Sequence, residues 1–199
     1  FGAFGKIPIR HGMTMGELAN MYNGEGMLRG GEKVKLQVIK MEGWQRKMWF
    51  DQTGLVWRKP SPNLLSLSSV LAYTGTCLFE GLNVSEGRGT EKPFENIGAP
   101  WLKNKEVIEL LKQFKFEGVK FEAVEFVPEK KPYLGREPEL SGELCKGIYV
   151  HVTDRNKFKP YRTGVALLWA INKLHADKLI WNDKTLLRLT GTNRLLEMI

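Results

Sequence analysis

The residues with the clearest chemical potential lie in one acidic, glycine-rich segment, residues 80–90. It holds two carboxylates, Glu80 and Glu86, and a cation, Arg88, that is flanked by glycines. Glycoside hydrolysis needs one protonated and one ionised carboxyl, and a nearby arginine helps to separate their pKa values. Glycines also let backbone approach a ligand closely. The structural alternative is that Glu80 is a solvated helix-end residue and Glu86 pairs with Arg88.

A second polar cluster, Arg10-His11-Gly12, directly precedes a predicted helix N-terminus. Helix N-termini with an adjacent arginine bind anions such as carboxylates, and a histidine can act as a general acid or a hydrogen-bond donor. A surface arginine and a packed histidine explain the same pattern. Thr14 and Glu17 have capping-box spacing, so Glu17 is interpreted as a helix cap and not as a catalyst.

Four tryptophans, Trp44, Trp49, Trp57 and Trp101, fall in or near predicted loops. Aromatic faces stack on sugar rings, so an exposed tryptophan is a plausible glycan platform. A core position is the favoured interpretation for each of them. Trp101 is the preferred exception because it ends the long irregular segment 82–101.

The composition and charge indicate a folded protein and limit the kinds of partner that it can have. The chain has 199 residues, 42% of them hydrophobic, which is enough for a packed core and argues against disorder. The formal net charge of +8 fits nucleic acid, a membrane surface or an acidic substrate. The basic residues are scattered without any nucleic-acid-binding motif, so we expect no nucleic-acid partner. No apolar run is long enough to span a bilayer.

The sequence indicates neither a metal nor a cofactor. Three histidines lack paired spacing, and no P-loop, dinucleotide fingerprint, serine nucleophile elbow or metalloprotease motif is present. Cys77 and Cys145 are far apart in the chain. Two buried thiols are the favoured interpretation, although the sequence leaves a disulfide open.

Hydrophobic periodicity and turn residues predict the elements that must position these side chains. Two of the expected helices begin after Thr14 and Asn104, and two more cover residues 66–80 and 161–174. Two short helices are expected near the end of the chain, one near 184–189 and one from 193. The expected strands are 34–41, 55–57, 119–126 and 147–152. The segments 82–101 and 127–143 are expected to be long ordered loops. Because helices and strands do not strictly alternate, the predicted class is α+β, with a mixed sheet and several packed helices.

Seven strings follow one another along the chain in an order that is itself distinctive. They are Ile7 to Ala19, Ser61-Pro62-Asn63, Tyr73 to Thr76, Glu80 to Thr90, Pro93-Phe94-Glu95, Gly98 to Trp101, and His151 to Arg155. Together they resemble the signature of the exo-β-N-acetylmuramidase (NamZ-like) family. The resemblance covers most of the chain.

Members of that family remove N-acetylmuramic acid from the non-reducing end of peptidoglycan-derived glycans. The resemblance implies an N-terminal Rossmann-like domain and a C-terminal α+β domain with the active cleft between them. By that resemblance, residues 1–199 are the C-terminal domain, the N-terminal domain is absent from this chain, and the isolated fragment is inactive. It also implies a bacterial hydrolase of cell wall recycling that is exported to the periplasm, held as a lipoprotein or secreted.

The matching strings assign provisional roles to individual residues. The catalytic candidates are Glu86 first and Glu80 second. The candidates for substrate binding are Arg10, His11, Asn63, Arg88 and Trp101. Muramic acid carries a lactyl carboxylate, which calls for a cation or a helix N-terminus. The alternative function is a non-catalytic glycan-binding or interaction module, and the choice between inverting and retaining chemistry stays open.

Overall fold

The computed structural model describes residue 7 and residues 11–198. The described residues separate into two compact units, one that ends at Leu55 and one that begins at Val56. Among the described residues, no helix combines the length and the apolar character needed to cross a bilayer.

The smaller unit is organised around helix α1, Met15–Gly24. Thr14 Oγ1 accepts a hydrogen bond from the Glu17 amide at 3.2 Å, and Glu17 Oε2 accepts one from the Thr14 amide at 2.7 Å. This reciprocal pair satisfies two amides that the first helical turn leaves free, which is the predicted capping box. Glu17 also forms an ion pair with Arg46. Its position as a helix cap is therefore confirmed.

The strand predicted over 34–41 does not form. The amide and carbonyl of Val34 bond to the side chain of Asn23, at 2.8 and 2.9 Å, and not to another strand. The apolar residues of the segment are exposed, with Ile39 82% and Met41 64% accessible. Alternating hydrophobicity indicates a strand only where a partner strand supplies the ladder. The strand predicted over 55–57 is missing as well.

The larger unit contains five helices and three strands among its described residues. The helices are α2 (Leu67–Thr76), α3 (Asn104–Leu111), α4 (Pro160–His175), α5 (Asp183–Thr190) and α6 (Arg194–Met198). The strands are β1 (Asn96–Ala99), β2 (Val119–Phe126) and β3 (Cys145–Val152). Short 3₁₀ turns occupy Cys77–Gly81, Lys112–Phe114 and Pro132–Leu134. The predicted α+β class is confirmed.

The three strands form an antiparallel sheet in the order β1-β3-β2, and not the mixed sheet that the sequence predicted. β3 is central, with Ile148 opposite Ile97 on β1 and Val150 opposite Phe121 on β2. β1 lies inside the segment predicted to be a loop. Its sequence, Asn96-Ile97-Gly98-Ala99, has little intrinsic strand preference, so pairing with β3 decides its conformation.

Helix α2 crosses α4 at two glycines. A Cβ atom on Gly75 would lie 2.0 Å from the carbonyl oxygen of Pro160, and one on Gly164 would lie 2.3 Å from that of Gly75. The two backbones therefore touch where any side chain would separate them. This contact fixes the end of α2, and the 3₁₀ turn Cys77–Gly81 that follows is anchored by Phe79, which is fully buried.

Candidate functional site

Two short connections bring the predicted carboxylates together. Glu80 lies in the 3₁₀ turn after α2, and Glu86 follows a two-bond bridge between Ser85 and Gly98 of β1. The Ser85 amide donates to the Gly98 carbonyl at 2.8 Å, and the Gly98 amide donates back at 2.9 Å. The acidic segment is thus tied at one end to α2 and at the other to the sheet.

Two arginines join these carboxylates into one ion cluster. Arg88 donates from Nε to Glu86 Oε1 at 2.7 Å and from Nη2 to Glu80 Oε2 at 3.2 Å. Arg136 Nη2 lies 3.3 Å from Glu80 Oε2 and 3.7 Å from Glu86 Oε1. Both carboxylates therefore contact both guanidinium groups. We refer to Glu80, Glu86, Arg88 and Arg136 as the ion cluster.

The four members of the ion cluster differ in their access to solvent. The side chain of Glu86 is 2% exposed and that of Arg88 is 11% exposed. Glu80 is 17% exposed and Arg136 is 55% exposed. Glu86 and Arg88 therefore form the buried floor of the cluster, while Glu80 and Arg136 face the surface. Solvent therefore contacts the second pair more than the first.

Burial raises the pKa of Glu80 above its ordinary value, and the neighbouring Glu86 carboxylate raises it further. Arg88, Arg136 and Arg188 act in the opposite direction, since each cation favours the ionised form. The net direction is upward. A carboxyl that keeps its proton above the ordinary range is the kind of group that general acid catalysis requires.

The two glycines that flank Arg88 allow other backbone segments of the protein to pack closely against them. Gly87 and Gly89 have φ of 77° and 86°, in the left-handed region that favours glycine. A Cβ on Gly87 would lie 2.7 Å from the Lys92 carbonyl oxygen, and one on Gly89 would lie 2.3 Å from that of Glu129. Protein backbone therefore lies against both positions, and the expectation that these glycines let a ligand approach the backbone stays a prediction.

Phe94 contacts both buried members of the ion cluster, Glu86 and Arg88. Its φ of 64° is unusual for a residue with a large side chain and costs on the order of 1–3 kcal/mol. Its amide donates to the Glu86 carbonyl at 2.6 Å, and its carbonyl accepts from Thr76 Oγ1 at 2.7 Å. Its ring meets Tyr73 edge to face and lies 5.8 Å from the Arg88 guanidinium. These contacts offset the strained conformation.

Glu95 is a third buried carboxylate, which the sequence did not identify as a site residue. It is 2% exposed, and burial raises its pKa. Tyr149 Oη lies 3.5 Å from Oε2, Lys92 Nζ lies 3.9 Å from the same oxygen, and Ser69 donates to the carboxylate. The string Pro93-Phe94-Glu95, which matches the family signature, was the available signal.

The remaining predicted binding residues are Arg10, His11, Asn63 and Trp101. Arg10 falls outside the described residues. His11 lies in the smaller unit, where its Nδ1 accepts from the Met13 amide at 3.0 Å. Asn63 is buried, with 5% exposure, in the turn before α2. Trp101 packs against His175 at a centroid distance of 5.1 Å and lines a cavity of about 680 Å³ at the start of α3.

The described residues contain no group of three or more His, Cys, Asp or Glu side chains that could hold a metal ion. Cys77 and Cys145 are both free, as the sequence favoured. Burial raises the pKa of Cys77 to about 12, so this thiol stays protonated beside Glu80.

Comparison with known sequences identifies two family models that divide the chain between them. Residues 71–199 match the model described as exo-beta-N-acetylmuramidase NamZ, C-terminal, and residues 1–68 match the one described as exo-beta-N-acetylmuramidase NamZ, N-terminal. A protein of Bacillus subtilis named peptidoglycan beta-N-acetylmuramidase NamZ is 43% identical over 171 residues. The matched region is 86% of this chain and 39% of that protein.

Two solved structures of DUF1343 family proteins from Bacteroides fragilis share the fold. One superposes with a TM-score of 0.80 at 30% identity, over 95% of this chain and 49% of that one. The other superposes with a TM-score of 0.70 at 29% identity, over 96% and 48%. The chain thus spans less than half the length of each of these three relatives.

Proposed function

Because the chain belongs to the exo-β-N-acetylmuramidase NamZ family, we propose that it is part of a bacterial glycoside hydrolase. The substrate that we propose is a peptidoglycan fragment, from whose non-reducing end N-acetylmuramic acid is released. The relative from Bacillus subtilis is named for activity on peptidoglycan, which supports this assignment. Export from the cytoplasm and a role in cell wall recycling are part of the same proposal.

The observation that carries the proposal is the ion cluster, in which Glu80, a carboxyl with 17% of its side chain exposed, lies next to the buried carboxylate Glu86. Glycosidic bond cleavage begins with protonation of the leaving-group oxygen. Glu80 meets the requirements of that proton donor, since it is reachable at the surface and burial and Glu86 both raise its pKa. Glu86 is 2% exposed, which suits a positioning residue that orients Arg88 and opposes ionisation of Glu80.

The choice between inverting and retaining chemistry stays open, because it depends on the distance from Glu80 to the second reacting carboxylate, and Glu86 is assigned a positioning role. Retaining enzymes place their carboxyls roughly 5–5.5 Å apart and inverting enzymes roughly 6.5–9.5 Å apart. We propose that the ion cluster forms one wall of the active cleft. An N-terminal Rossmann-like domain would supply the facing wall and the second reacting carboxylate.

The test is the release of N-acetylmuramic acid by the full-length protein and by its Glu80→Gln variant. Loss of a general acid costs on the order of 10²–10⁴ in rate, and we expect kcat to fall by that amount while the melting temperature holds. Glu109→Gln, a change of the same type at a 71% exposed glutamate, is the matched control. A wild-type protein that releases no muramic acid, or a Glu80→Gln variant within a few-fold of wild type, would contradict the proposal.

The same experiment addresses a non-catalytic glycan-binding role for this part of the chain. In that case Glu80→Gln weakens binding of the sugar without a separate effect on turnover. A fall in kcat at saturating substrate therefore argues for chemistry, whereas a rise in KM alone argues for binding.

A further inference from the structure

The second long loop, residues 127–143, is held against the ion cluster by its backbone. Gly89 lacks the Cβ that would collide with Glu129, so the start of the loop lies directly on the acidic segment. The Gly142 amide donates to the Pro128 carbonyl at 2.8 Å, which closes the loop at its base. The loop is thus an ordered part of the site.

Arg136 projects from this loop and is the accessible cation of the ion cluster. Its two close contacts both involve Nη2, and 55% of its side chain is exposed to solvent. Arg88, in contrast, is 11% exposed and uses both Nε and Nη2 on Glu86 and Glu80. The sequence favoured Arg88 or Arg10 for recognition of a substrate carboxylate. Arg136 is therefore better placed than Arg88 to bind an anion, because more of its side chain is exposed and fewer of its nitrogen atoms take part in these contacts.

A cavity of about 600 Å³ adjoins Arg136, within the size range of small-ligand sites. Its charged lining consists of Lys130, Lys131, Arg136 and Glu137. Each lysine has an acidic neighbour, since Lys130 lies 3.5 Å from Glu137 and Lys131 lies 3.3 Å from Glu91. The exposed cations Arg136 and Lys130 lie in this wall next to a proton-donating carboxyl, which suits a sugar that carries its own negative charge.

We propose that Arg136 binds a carboxylate on the muramyl residue and thereby selects muramic acid over N-acetylglucosamine. This inference rests on the proposed function. Muramic acid differs from N-acetylglucosamine by its lactyl ether, whose carboxylate a guanidinium can bind through two parallel hydrogen bonds. When a stem peptide is joined to the lactyl group, the carboxylate that Arg136 binds belongs to the peptide. The two sources share one chemistry and can be separated by experiment.

Calorimetry on the full-length protein tests the proposal with N-acetylmuramic acid and its methyl ester, which differ in one negative charge. A hydrogen bond to a charged group contributes enough to predict about ten- to a hundredfold tighter binding of the acid by wild type. Arg136→Ala should bind both ligands equally, and Arg136→Lys should keep an intermediate preference because it retains charge without the planar fork. Arg162→Ala removes an arginine whose Nη2 bonds to the Phe114 carbonyl, and it should match wild type.

A muramyl dipeptide as a third ligand identifies the source of the carboxylate. Loss of affinity for the free acid alone assigns the contact to the lactyl group, and loss for the dipeptide alone assigns it to the peptide. An unchanged preference for acid over ester in Arg136→Ala overturns the inference. That result leaves the proposed function standing if wild type still releases muramic acid. A wild-type protein that binds none of these ligands overturns the inference, and the release assay then decides the proposed function separately.

Discussion

Arg88 donates from Nε to Oε1 of Glu86 at 2.7 Å, and this pair is buried beneath the more accessible members of the ion cluster. Removing one partner of a buried ion pair leaves the other charge without compensation, at a cost of about 3–5 kcal/mol. We therefore expect Arg88→Ala to destabilise the protein by that amount, measured by urea unfolding. Glu86→Gln should cost less, since the amide keeps an oxygen that accepts from Arg88.

The control for this prediction is a surface pair, Lys112 and Glu109, whose side chains are 67% and 71% exposed. Exposed pairs contribute about 0–1 kcal/mol, so Lys112→Ala should leave the unfolding midpoint almost unchanged. Equal midpoints for Arg88→Ala and Lys112→Ala would show that the Arg88–Glu86 pair has no structural role.

The pH dependence of activity gives a second prediction. The protonated form of Glu80 is lost as pH rises through its pKa, which burial and Glu86 raise, so kcat/KM should fall on the alkaline side of that raised value. Arg136 is one of the cations that lower this pKa. Replacing it with alanine should therefore move the alkaline limb to higher pH, whereas Arg136→Lys should move it little.

The measurement is kcat/KM for release of N-acetylmuramic acid across the pH range in which wild type stays folded. Arg162→Ala again serves as the arginine control, since it leaves the ion cluster intact. A limb that moves to lower pH in Arg136→Ala would contradict the assignment of Glu80 as the titrating acid.

The glycine contact between α2 and α4 yields a third prediction. An added methyl at Gly75 would meet the Pro160 carbonyl oxygen at 2.0 Å, so the helices must separate or tilt. Overpacking of this kind costs typically about 1–3 kcal/mol. Gly75→Ala should lower the melting temperature, and it should also lower activity because the turn that carries Glu80 follows α2. Ser68→Ala on the same helix is the control, and equal melting temperatures for the two variants would argue against close packing.

Local signals were enough to predict several elements from the sequence. The capping box at Thr14 begins α1, and the run from Val119 to Phe126 was predicted with the bounds that β2 has. The strand expected over 34–41 does not form: its apolar side chains are exposed, and the backbone groups of Val34 bond to the side chain of Asn23. Strand formation depends on a distant partner, and neither composition nor periodicity names that partner.

The sequence likewise identified some members of the ion cluster and missed another. Glu80, Glu86 and Arg88 are close in sequence, and the structure joins them in one set of ion pairs. Arg136 is far from them along the chain, in a loop without periodicity, and it reaches them because the loop packs on Gly89. Proximity of that kind is set by tertiary packing, so the sequence left Arg136 unidentified.

The last prediction concerns His175, which is 2% exposed at the end of α4. Its Nε2 accepts a hydrogen bond from the Lys103 amide at 3.1 Å, just before α3, and this requires the neutral ring. Burial lowers the pKa of His175, and the charges of Lys178 and Lys103 act in the same direction. The folded state therefore takes up the proton at lower pH than the unfolded chain does. The stability that the neutral ring provides is present above the unfolded value of 6.5 and is lost as pH falls below it.

We accordingly expect the melting temperature of wild type to fall between pH 7.5 and pH 5.5 more steeply than that of His175→Gln. The glutamine side chain offers an oxygen to the Lys103 amide but does not titrate, so the variant lacks the proton uptake that favours unfolding. Its absolute melting temperature should be lower, because the contact of the His175 ring with Trp101 is lost. His151→Gln, at a 46% exposed position on β3, keeps His175 and should therefore retain the wild-type slope. Parallel slopes for wild type and His175→Gln would mean that His175 does not contribute to acid destabilisation.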